Sequence, residues 1–199
     1  FDTIYHEHFS YLSLMTVQRI FASHGLSIFD VEEIPTHGGS LRIYARHTEN
    51  SGLLIGERVF DLLRREVAYG MDKLETYAAF EARCQDIRYE LMEFLINAKR
   101  EGKQVVGYGA PGKGNTLLNY AGVKPDLLPF VCDAAAAKQG KFLPGSHIPI
   151  LPPARLAERR PDFLLILPWN IASEIKQQNS ACAKLGTKFV TAIPGLTVT

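Results

Sequence analysis

The sequence predicts an α/β protein in which a Rossmann-like domain with a parallel sheet follows a long helical connector. From residue 103 onwards, apolar runs of four to six residues alternate with helical patterns, which is typical of a parallel sheet covered on both faces. Residues 53–101 carry apolar side chains at helical spacing, and residues 26–45 alternate as strands do. The expected parts are residues 1–48, a helical connector over 49–102 and the Rossmann-like domain over 103–199.

One helix and two strands are predicted in the first part. Residues 14–24 have apolar side chains at helical spacing, and Gly25 follows as a helix end. Residues 26–34 and 40–45 then show the β-branched and aromatic pattern of strands, with a break from Pro35 to Gly39. The polar stretch that follows is the best linker in the chain.

The connector is predicted to consist of two helices, over about 56–69 and 71–101, ending at Gly102. After it, we expect a four-stranded sheet with right-handed crossovers. The predicted strands are 104–108, 127–132, 163–167 and 188–193, and the predicted helices are 115–121, 153–159 and 171–185.

Composition and charge exclude several classes of protein. The chain has 199 residues, of which 46% are hydrophobic and 22% charged, and this excludes disorder and collagen-like structure. No apolar run is long enough for a membrane span and no signal-peptide core is found, so we expect a cytoplasmic protein. The formal net charge of +1 argues against nucleic acid or membrane partners.

The three cysteines are expected to be buried free thiols. Cys84, Cys132 and Cys182 are far apart and odd in number, so they form neither a disulfide framework nor a zinc-binding pair. The chain also begins with Phe1 rather than Met. We therefore expect it to be a fragment of a longer polypeptide.

A glycine-rich turn follows the first predicted strand of the Rossmann-like domain. Residues 107–115 read Gly-Tyr-Gly-Ala-Pro-Gly-Lys-Gly-Asn and fit G-x-G-x-x-G, a pattern that lets backbone N–H groups approach a phosphate. Lys113 adds positive charge, and Asp133 follows the next strand, where it could hold a ribose hydroxyl. Gly114 stands where a P-loop needs Ser or Thr. Two interpretations of the glycine-rich turn remain open. It either contacts a phosphate or nucleotide of unknown kind, or its glycines only allow a tight turn between strand and helix.

A second group of reactive side chains is Tyr5-His6-Glu7-His8. Its spacing is not that of His-Glu-x-x-His, and a metal site would need a third ligand such as His37. Imidazole titrates near neutral pH and a neighbouring carboxylate can orient it, so a general base fits better. The alternative is an ordinary polar loop.

Two further loops carry candidate ligand contacts. His37 lies at the tip of the turn between the two predicted strands, where ligand contact and simple turn chemistry are equally compatible with the sequence. Trp169 follows a predicted strand at the carboxyl edge of the sheet, where ligands of open α/β sheets bind. It either stacks on a base or sugar, or covers the core.

Taken together, these motifs resemble the C-terminal half of the S-adenosylmethionine-dependent C-methyltransferases that act on nucleotide-linked keto-deoxysugars. The resemblance runs in order over nearly the whole chain. The matching segments are Tyr5 to Tyr11, His37 to Arg42, Gly107 to Tyr120, Lys138 to Lys141, Pro144-Gly145, His147 to Ile150 and Leu167 to Asn170.

This resemblance implies an enzyme of three parts: an N-terminal zinc domain, a central S-adenosylmethionine-binding domain and a C-terminal Rossmann-like domain. Residues 1–48 would then be the tail of the central methyltransferase domain. S-adenosylmethionine would bind mainly to a domain absent from this chain, and zinc would be held only in the absent N-terminal domain. We expect no metal site here.

The resemblance also implies roles for individual residues. His8 would remove a proton from the carbon next to the ketone, and Glu7 and Tyr5 would orient it or stabilise the enolate. The nucleotide-sugar substrate is the expected partner. Its expected contacts are His37, Gly109, Lys113, Asn115, Asp133 and Trp169.

The chain departs from the family in one stretch. Relatives usually have a polar segment containing Asn-Pro after Asp133, whereas this chain has four alanines at 134–137.

Two alternatives to a methyltransferase remain at this point. One is an NAD(P)- or nucleotide-binding module of an oxidoreductase, and the other is an interaction domain that forms a homodimer through the helix of 71–101.

Overall fold

The chain folds into two units in the computed structural model, which describes residues 1–199. The first unit, here the Rossmann-like unit, contains Phe1–His8 and Ala82–Thr199. The second, here the hairpin unit, contains Phe9–Glu81. The domain boundaries at residues 48 and 102 stay predictions, because these units divide the chain by its packing.

The hairpin unit is built from two antiparallel strands and three helices. The strands pair from Leu26 opposite His47 to Ile34 opposite Ser40, with an irregularity between Ile28 and Asp30. A short 3-10 turn over Thr36–Gly38 joins them. The elements are α1 (Leu14–Ala22), β1 (Leu26–Ile34), β2 (Ser40–His47), α2 (Glu57–Tyr69) and α3 (Leu74–Ala78).

Apolar side chains from both longer helices and from β1 form the core of the hairpin unit. These are Leu14, Ile28, Val31, Val59 and Leu62. The predicted helix and two strands are therefore present, and α2, expected as part of the connector, packs on β1 through Val59 and Leu62. The helix predicted over 71–101 is divided at Ala79 into α3 and α4 (Phe80–Arg100).

The buried carboxylate of Glu66 fixes the start of α1. Its Oε1 accepts a hydrogen bond from the Leu14 N–H at 2.7 Å, and its Oε2 accepts one from the Met15 N–H at 2.8 Å. The first N–H groups of a helix have no partner within the helix and carry partial positive charge. Glu66, on α2, therefore joins the two helices as well as capping one of them.

Strands alternate with helices along most of the Rossmann-like unit, as the sequence predicts, but no helix separates β4 from β5 or β7 from β8. After α4 the elements are β3 (Val105–Tyr108), α5 (Gly112–Ala121), β4 (Val131–Cys132), β5 (Ile150–Leu151), α6 (Ala154–Arg159), β6 (Phe163–Ile166), α7 (Ala172–Gln178), α8 (Ser180–Lys184), β7 (Lys188–Thr191) and β8 (Thr197–Val198). A 3-10 turn over Trp169–Ile171 precedes α7.

The sheet has six strands in the order β5-β4-β3-β6-β7-β8, and only β8 runs antiparallel to its neighbour. The mostly parallel α/β fold predicted from the sequence is confirmed, but the expected number of four strands is wrong. Both additional strands, β5 and β8, are two residues long. Such short strands carry no alternation that a sequence pattern can reveal.

Helices cover both faces of this sheet. On one face, Leu91 and Leu95 of α4 and Leu118 of α5 pack against sheet residues. On the other face, Leu156 of α6 and Ile175 of α7 do the same. Near-continuous apolar strands are expected for a sheet buried in this way. No helix of the structure is long and apolar enough to span a membrane.

Loss of the Glu66 carboxylate is expected to destabilise the hairpin unit. Glu66→Ala leaves two N–H groups at the start of α1 without partners, so the free energy of unfolding falls by about 3 kcal/mol. Glu57→Ala, an exposed change on the same helix, lowers it by about 0.5 kcal/mol or less. Urea unfolding followed by circular dichroism measures the free energy of unfolding of both variants. Equal effects of the two substitutions would contradict the role of Glu66 as the cap of α1.

The thiol of Cys132 is expected to be unreactive in the folded protein. Burial raises its pKa from 9.0 to about 12. Iodoacetamide at pH 8 should therefore leave Cys132 unmodified until the protein is unfolded in urea, because the thiolate is the reactive form. Because the unfolded chain ionises this thiol above about pH 9 while the folded protein keeps it protonated, the free energy of unfolding falls as the pH rises from about 9 towards 12. Rapid modification of native Cys132, measured by mass spectrometry, would refute this expectation.

Candidate functional site

The candidate site lies where the strand order of the sheet reverses. β3 pairs with β4 on one side and with β6 on the other, and all three strands are parallel. Their carboxyl ends are followed by the glycine-rich turn, by Asp133 and by Trp169. Ligands of open α/β sheets bind at such a point. The fold thus brings together three of the loops that the sequence singles out.

Steric contacts explain two glycines of the turn. Gly109 has a φ of 85°, and a Cβ atom there would lie 2.6 Å from Cδ of Pro168. A Cβ atom at Gly107 would lie 2.5 Å from Cγ1 of Val131 on the neighbouring strand. Both glycines are therefore required by the fold, whether or not a phosphate binds.

The other two glycines of the turn differ from each other. A Cβ atom at Gly114 would lie 2.7 Å from Cβ of Leu167, so α5 approaches the end of β6 closely at this residue. At Gly112 it would meet only the ring of Tyr5, at 3.6 Å, which is ordinary van der Waals contact. Gly112 is thus the one glycine of the motif with room for a side chain.

Asp133 holds the glycine-rich turn to the loop that follows β4. Its Oδ2 accepts a hydrogen bond from the Ala110 N–H at 2.7 Å, and its Oδ1 accepts one from the Ala135 N–H at 2.8 Å. Lys138 Nζ lies 3.4 Å from the same Oδ2 and donates to the Ala110 carbonyl at 3.0 Å. Gln139 donates to the carbonyl of Asp133 at 2.9 Å. The carboxylate therefore organises the loops around the site.

The ammonium group of Lys113 is directed towards the loop after β6. Lys113 is only 6% exposed. Its Nζ donates to Oδ1 of Asn170 at 2.8 Å and lies 5.1 Å from the centroid of the Trp169 ring. This arrangement is a cation–π contact. Lys113 and Trp169, both predicted as substrate contacts, therefore touch each other.

Residues 1–8, here the N-terminal segment, pack on this edge of the Rossmann-like unit. Trp169 donates its indole N–H to Oδ2 of Asp2 at 2.6 Å. The rings of Phe1 and Tyr120 lie with centroids 5.1 Å apart. The Thr116 hydroxyl lies 3.5 Å from the carbonyl of Ile4. These contacts bring the Tyr-His-Glu-His group to the beginning of α5.

Tyr5 and His8 form the reactive pair within this segment. Their ring centroids are 4.4 Å apart, and the His8 N–H donates to the Tyr5 carbonyl at 2.9 Å. Tyr5 is half-buried against Gly112, whereas His8 is exposed. The carboxylate of Glu7 lies 3.8 Å from Nε2 of His6, with both side chains largely exposed. An exposed imidazole beside a phenol suits proton exchange with a bound substrate.

A cavity of about 300 Å³ adjoins the glycine-rich turn, on the side of the loop that leads to β5. Asn115, Lys138, Lys141 and Phe142 contribute to its lining. The Oδ1 atom of Asn115 is buried and has no hydrogen-bond partner, while Phe142 is exposed. The cavity is therefore polar and positively charged at one side and aromatic at another.

His37 lies in the hairpin unit. It is exposed, in the 3-10 turn between β1 and β2, with a φ of 56°. A cavity of about 890 Å³ in that unit lies between β1 and α2 and is lined by charged residues such as Glu33, Arg58 and Arg65. None of the residues predicted from the sequence lines it. The contact of His37 with substrate stays a prediction.

Several contacts of the site could not be found from the sequence. Asp2 lies 167 positions before Trp169, and no local pattern links them. Thr116 and Asn170 lie in matching segments, but the sequence does not indicate that they contact Ile4 and Lys113. No group of three or more His, Cys, Asp or Glu side chains in the structure could hold a metal ion.

Two comparisons with known proteins indicate the family to which the chain is similar. A family model described as the C-methyltransferase C-terminal domain matches residues 35–194. The C-methyltransferase NovU of Streptomyces niveus is 39% identical over 194 residues, which cover 98% of this chain and 46% of that protein. The chain thus spans about half the length of the curated relative it matches.

Two glycine substitutions should separate the steric roles within the turn. Gly109→Ala places a methyl group against Pro168 at an unfavourable φ, so we expect the free energy of unfolding to fall by about 3 kcal/mol. Gly112→Ala has the required space and lies in the first turn of α5, so stability stays the same or rises by up to about 1 kcal/mol. Thermal unfolding of both variants tests whether Gly109, and not Gly112, is required by packing. This interpretation is wrong if Gly112→Ala is as destabilising as Gly109→Ala.

Proposed function

Because the chain belongs to the family of C-methyltransferase C-terminal domains, we propose that it supplies the general base and part of the substrate site of a C-methyltransferase. The methyl donor is S-adenosylmethionine. The acceptor is a carbon next to the ketone of a nucleotide-linked keto-deoxysugar.

One observation carries this proposal: Tyr5 and His8 lie at the beginning of α5, beside the point where the strand order reverses. The N-terminal segment reaches this position through Asp2, Ile4 and Tyr5. A base brought to a ligand-binding edge of the sheet can act on a bound substrate. If residues 5–8 were only a polar loop, there would be no reason for them to lie at this edge of the sheet.

His8 is the residue we assign to proton removal. Its exposed imidazole can take a proton from the carbon next to a ketone, since neutral imidazole is a base at physiological pH. The electron pair of the broken C–H bond then moves onto the ketone oxygen and forms an enolate. Tyr5, whose ring lies 4.4 Å from that of His8, can donate a hydrogen bond to this oxygen. The carboxylate of Glu7 lies beside His6, and its role in orienting His8 stays a prediction.

The nucleotide part of the substrate fits the cavity beside the glycine-rich turn. Its volume of about 300 Å³ is at the lower end of the range for small-molecule sites. Lys141 lines it and forms no ion pair, so its charge is available to a phosphate. Asn115 lies on the same wall, and Gly112 lies both in this wall and against Tyr5. The sugar would therefore extend from the cavity towards His8.

Four of the predicted substrate contacts belong to the frame of this site. Gly109 shapes the turn, Asp133 holds the turn in place, and Lys113 and Trp169 contact each other. We propose that Trp169 and Lys113 border the sugar. Asp133 acts through the backbone of the turn.

The glycine-rich turn of this chain does not fit S-adenosylmethionine itself. Three of the four glycines in the turn face Val131, Pro168 or Leu167 at distances too short for a Cβ atom, so the turn leaves no open cradle. The carboxylate of Asp133 already accepts hydrogen bonds from two backbone N–H groups. We propose that the cofactor binds to a part of the protein outside this chain.

The same contacts weigh against an NAD(P)-binding module. A dinucleotide fold needs an acidic side chain that is free to accept the ribose hydroxyls. Asp133 occupies that position in the sequence, but it is 9% exposed and holds Ala110 and Ala135. The comparisons also point to a C-methyltransferase and not to an oxidoreductase.

Ligand binding tests the assignment of the substrate site. Calorimetric titration of the chain with a thymidine diphosphate sugar, NAD and S-adenosylmethionine should show binding of the sugar nucleotide alone. Lys141→Ala should weaken this binding by about tenfold, because one charged contact to a phosphate is lost. Lys176→Ala, on α7, is the matched control. Binding of NAD without the sugar nucleotide would contradict the proposal.

Replacement of His8 tests the base. In the full-length protein, His8→Ala should lower kcat by about 100-fold to 10,000-fold, the usual contribution of a general base, while the sugar nucleotide still binds. His6→Ala is the matched control, because His6 is also exposed and lies two residues away. Full methyl transfer by His8→Ala, measured with a radiolabelled methyl donor, would exclude His8 as the base.

A further inference from the structure

The side chain of Trp169 contacts oppositely charged groups at its edge and at its face. Its indole N–H donates to Oδ2 of Asp2 at 2.6 Å. Its ring face lies 5.1 Å from Nζ of Lys113. Asp2 is 4% exposed and Lys113 is 6% exposed. A buried carboxylate and a buried ammonium group therefore lie on different sides of one indole ring.

Each contact matches the charge distribution of the indole. The N–H edge is positive and meets the carboxylate, while the π face is negative and meets the ammonium group. Neither Asp2 nor Lys113 forms an ion pair within 4.0 Å in the structure. Buried charges need compensation of this kind, so the two contacts hold Trp169 in one orientation. Asn170 fixes Lys113 from the other side.

The bond from Asp2 to Trp169, at 2.6 Å, is shorter than the polar contact made by Ile4 of the same segment. The Thr116 hydroxyl lies 3.5 Å from the Ile4 carbonyl, at the limit of a hydrogen bond, and Tyr5 touches Gly112 only by van der Waals contact. His8 lies six positions after Asp2. The turn that ends the segment is closed by the bond from the His8 N–H to the Tyr5 carbonyl.

We propose that Asp2 is a positioning residue, which holds the N-terminal segment against Trp169 and thereby fixes Tyr5 and His8 at the beginning of α5. The proposal rests on the proposed function for its catalytic consequence. The anchoring of the N-terminal segment by Asp2 does not depend on that function. Asp2 does not touch the reacting atoms in this scheme, and it acts through Trp169 and the segment.

The first test uses the fluorescence of Trp169, which is the single tryptophan of the chain. Asp2→Ala removes the partner of the indole N–H, so the emission should shift to longer wavelength and acrylamide should quench it more strongly. Asp2→Asn keeps an oxygen acceptor and should stay close to the unmodified protein. Asp162→Ala is the control, because Asp162 accepts a backbone N–H bond from Gln104 elsewhere in the same unit.

Hydrogen exchange follows the consequence for His8 on the same variants. The His8 amide should lose protection in Asp2→Ala, and keep it in Asp2→Asn and Asp162→Ala. Unchanged emission together with unchanged protection in Asp2→Ala would overturn the proposal. This holds even if the protein transfers no methyl group, so failure of the proposed function is distinguished from failure of the positioning role.

Kinetics of the full-length protein complete the test. Asp2→Ala should lower kcat by about 100-fold, as expected for a misplacement of about 1 Å, with little change in KM for the sugar nucleotide. Asp2→Asn should recover most of this loss, and Asp162→Ala should keep the original kcat. An equal loss of kcat in Asp2→Ala and Asp162→Ala would show a general effect on folding and would overturn the proposal.

Discussion

The close packing of the glycine-rich turn and the start of α5 against β4 and against the residues after β6 is the constraint on which the rest of this site depends. Gly107 and Gly109 allow the turn to pass against Val131 and Pro168, and a side chain at either position would collide. Gly114 lets the first turn of α5 lie on Leu167. Because the three strand ends meet there, loops that are far apart in the sequence surround one small region.

The same packing changes the meaning of the glycine motif. Its spacing resembles a dinucleotide fingerprint, in which glycines make room for a pyrophosphate. In this chain the space beside three of the four glycines is filled by protein atoms, and Asp133 is bound to backbone N–H groups. The tight packing of the turn therefore accounts for three of the four glycines without a bound phosphate. Polar and charged groups for a ligand come instead from the neighbouring loop, through residues such as Lys141.

Elements with a long regular pattern were predictable from the sequence, and elements defined by distant partners were not. The spacing of apolar residues located α1, α2 and α5, because each buries one face. The two-residue strands β5 and β8 exist through pairing with β4 and β7, and no local pattern encodes this pairing. In the candidate site, the reactive residues were found from their chemistry. The bond between Asp2 and Trp169 could not be predicted, because the two residues are 167 positions apart and no local pattern links them.

The loop after Asp133 owes its conformation to main-chain groups. Ala135 donates its N–H to Asp133 and its carbonyl accepts from Lys138, while Gln139 binds the carbonyl of Asp133. The side chains at 134–137 take no part in these bonds, which is why four alanines suffice. Such a loop can change its sequence over evolution without a cost to the fold. Since it borders the cavity beside the turn through Ala137 and Lys138, it offers a place where substrate preference can diverge while the catalytic frame stays the same.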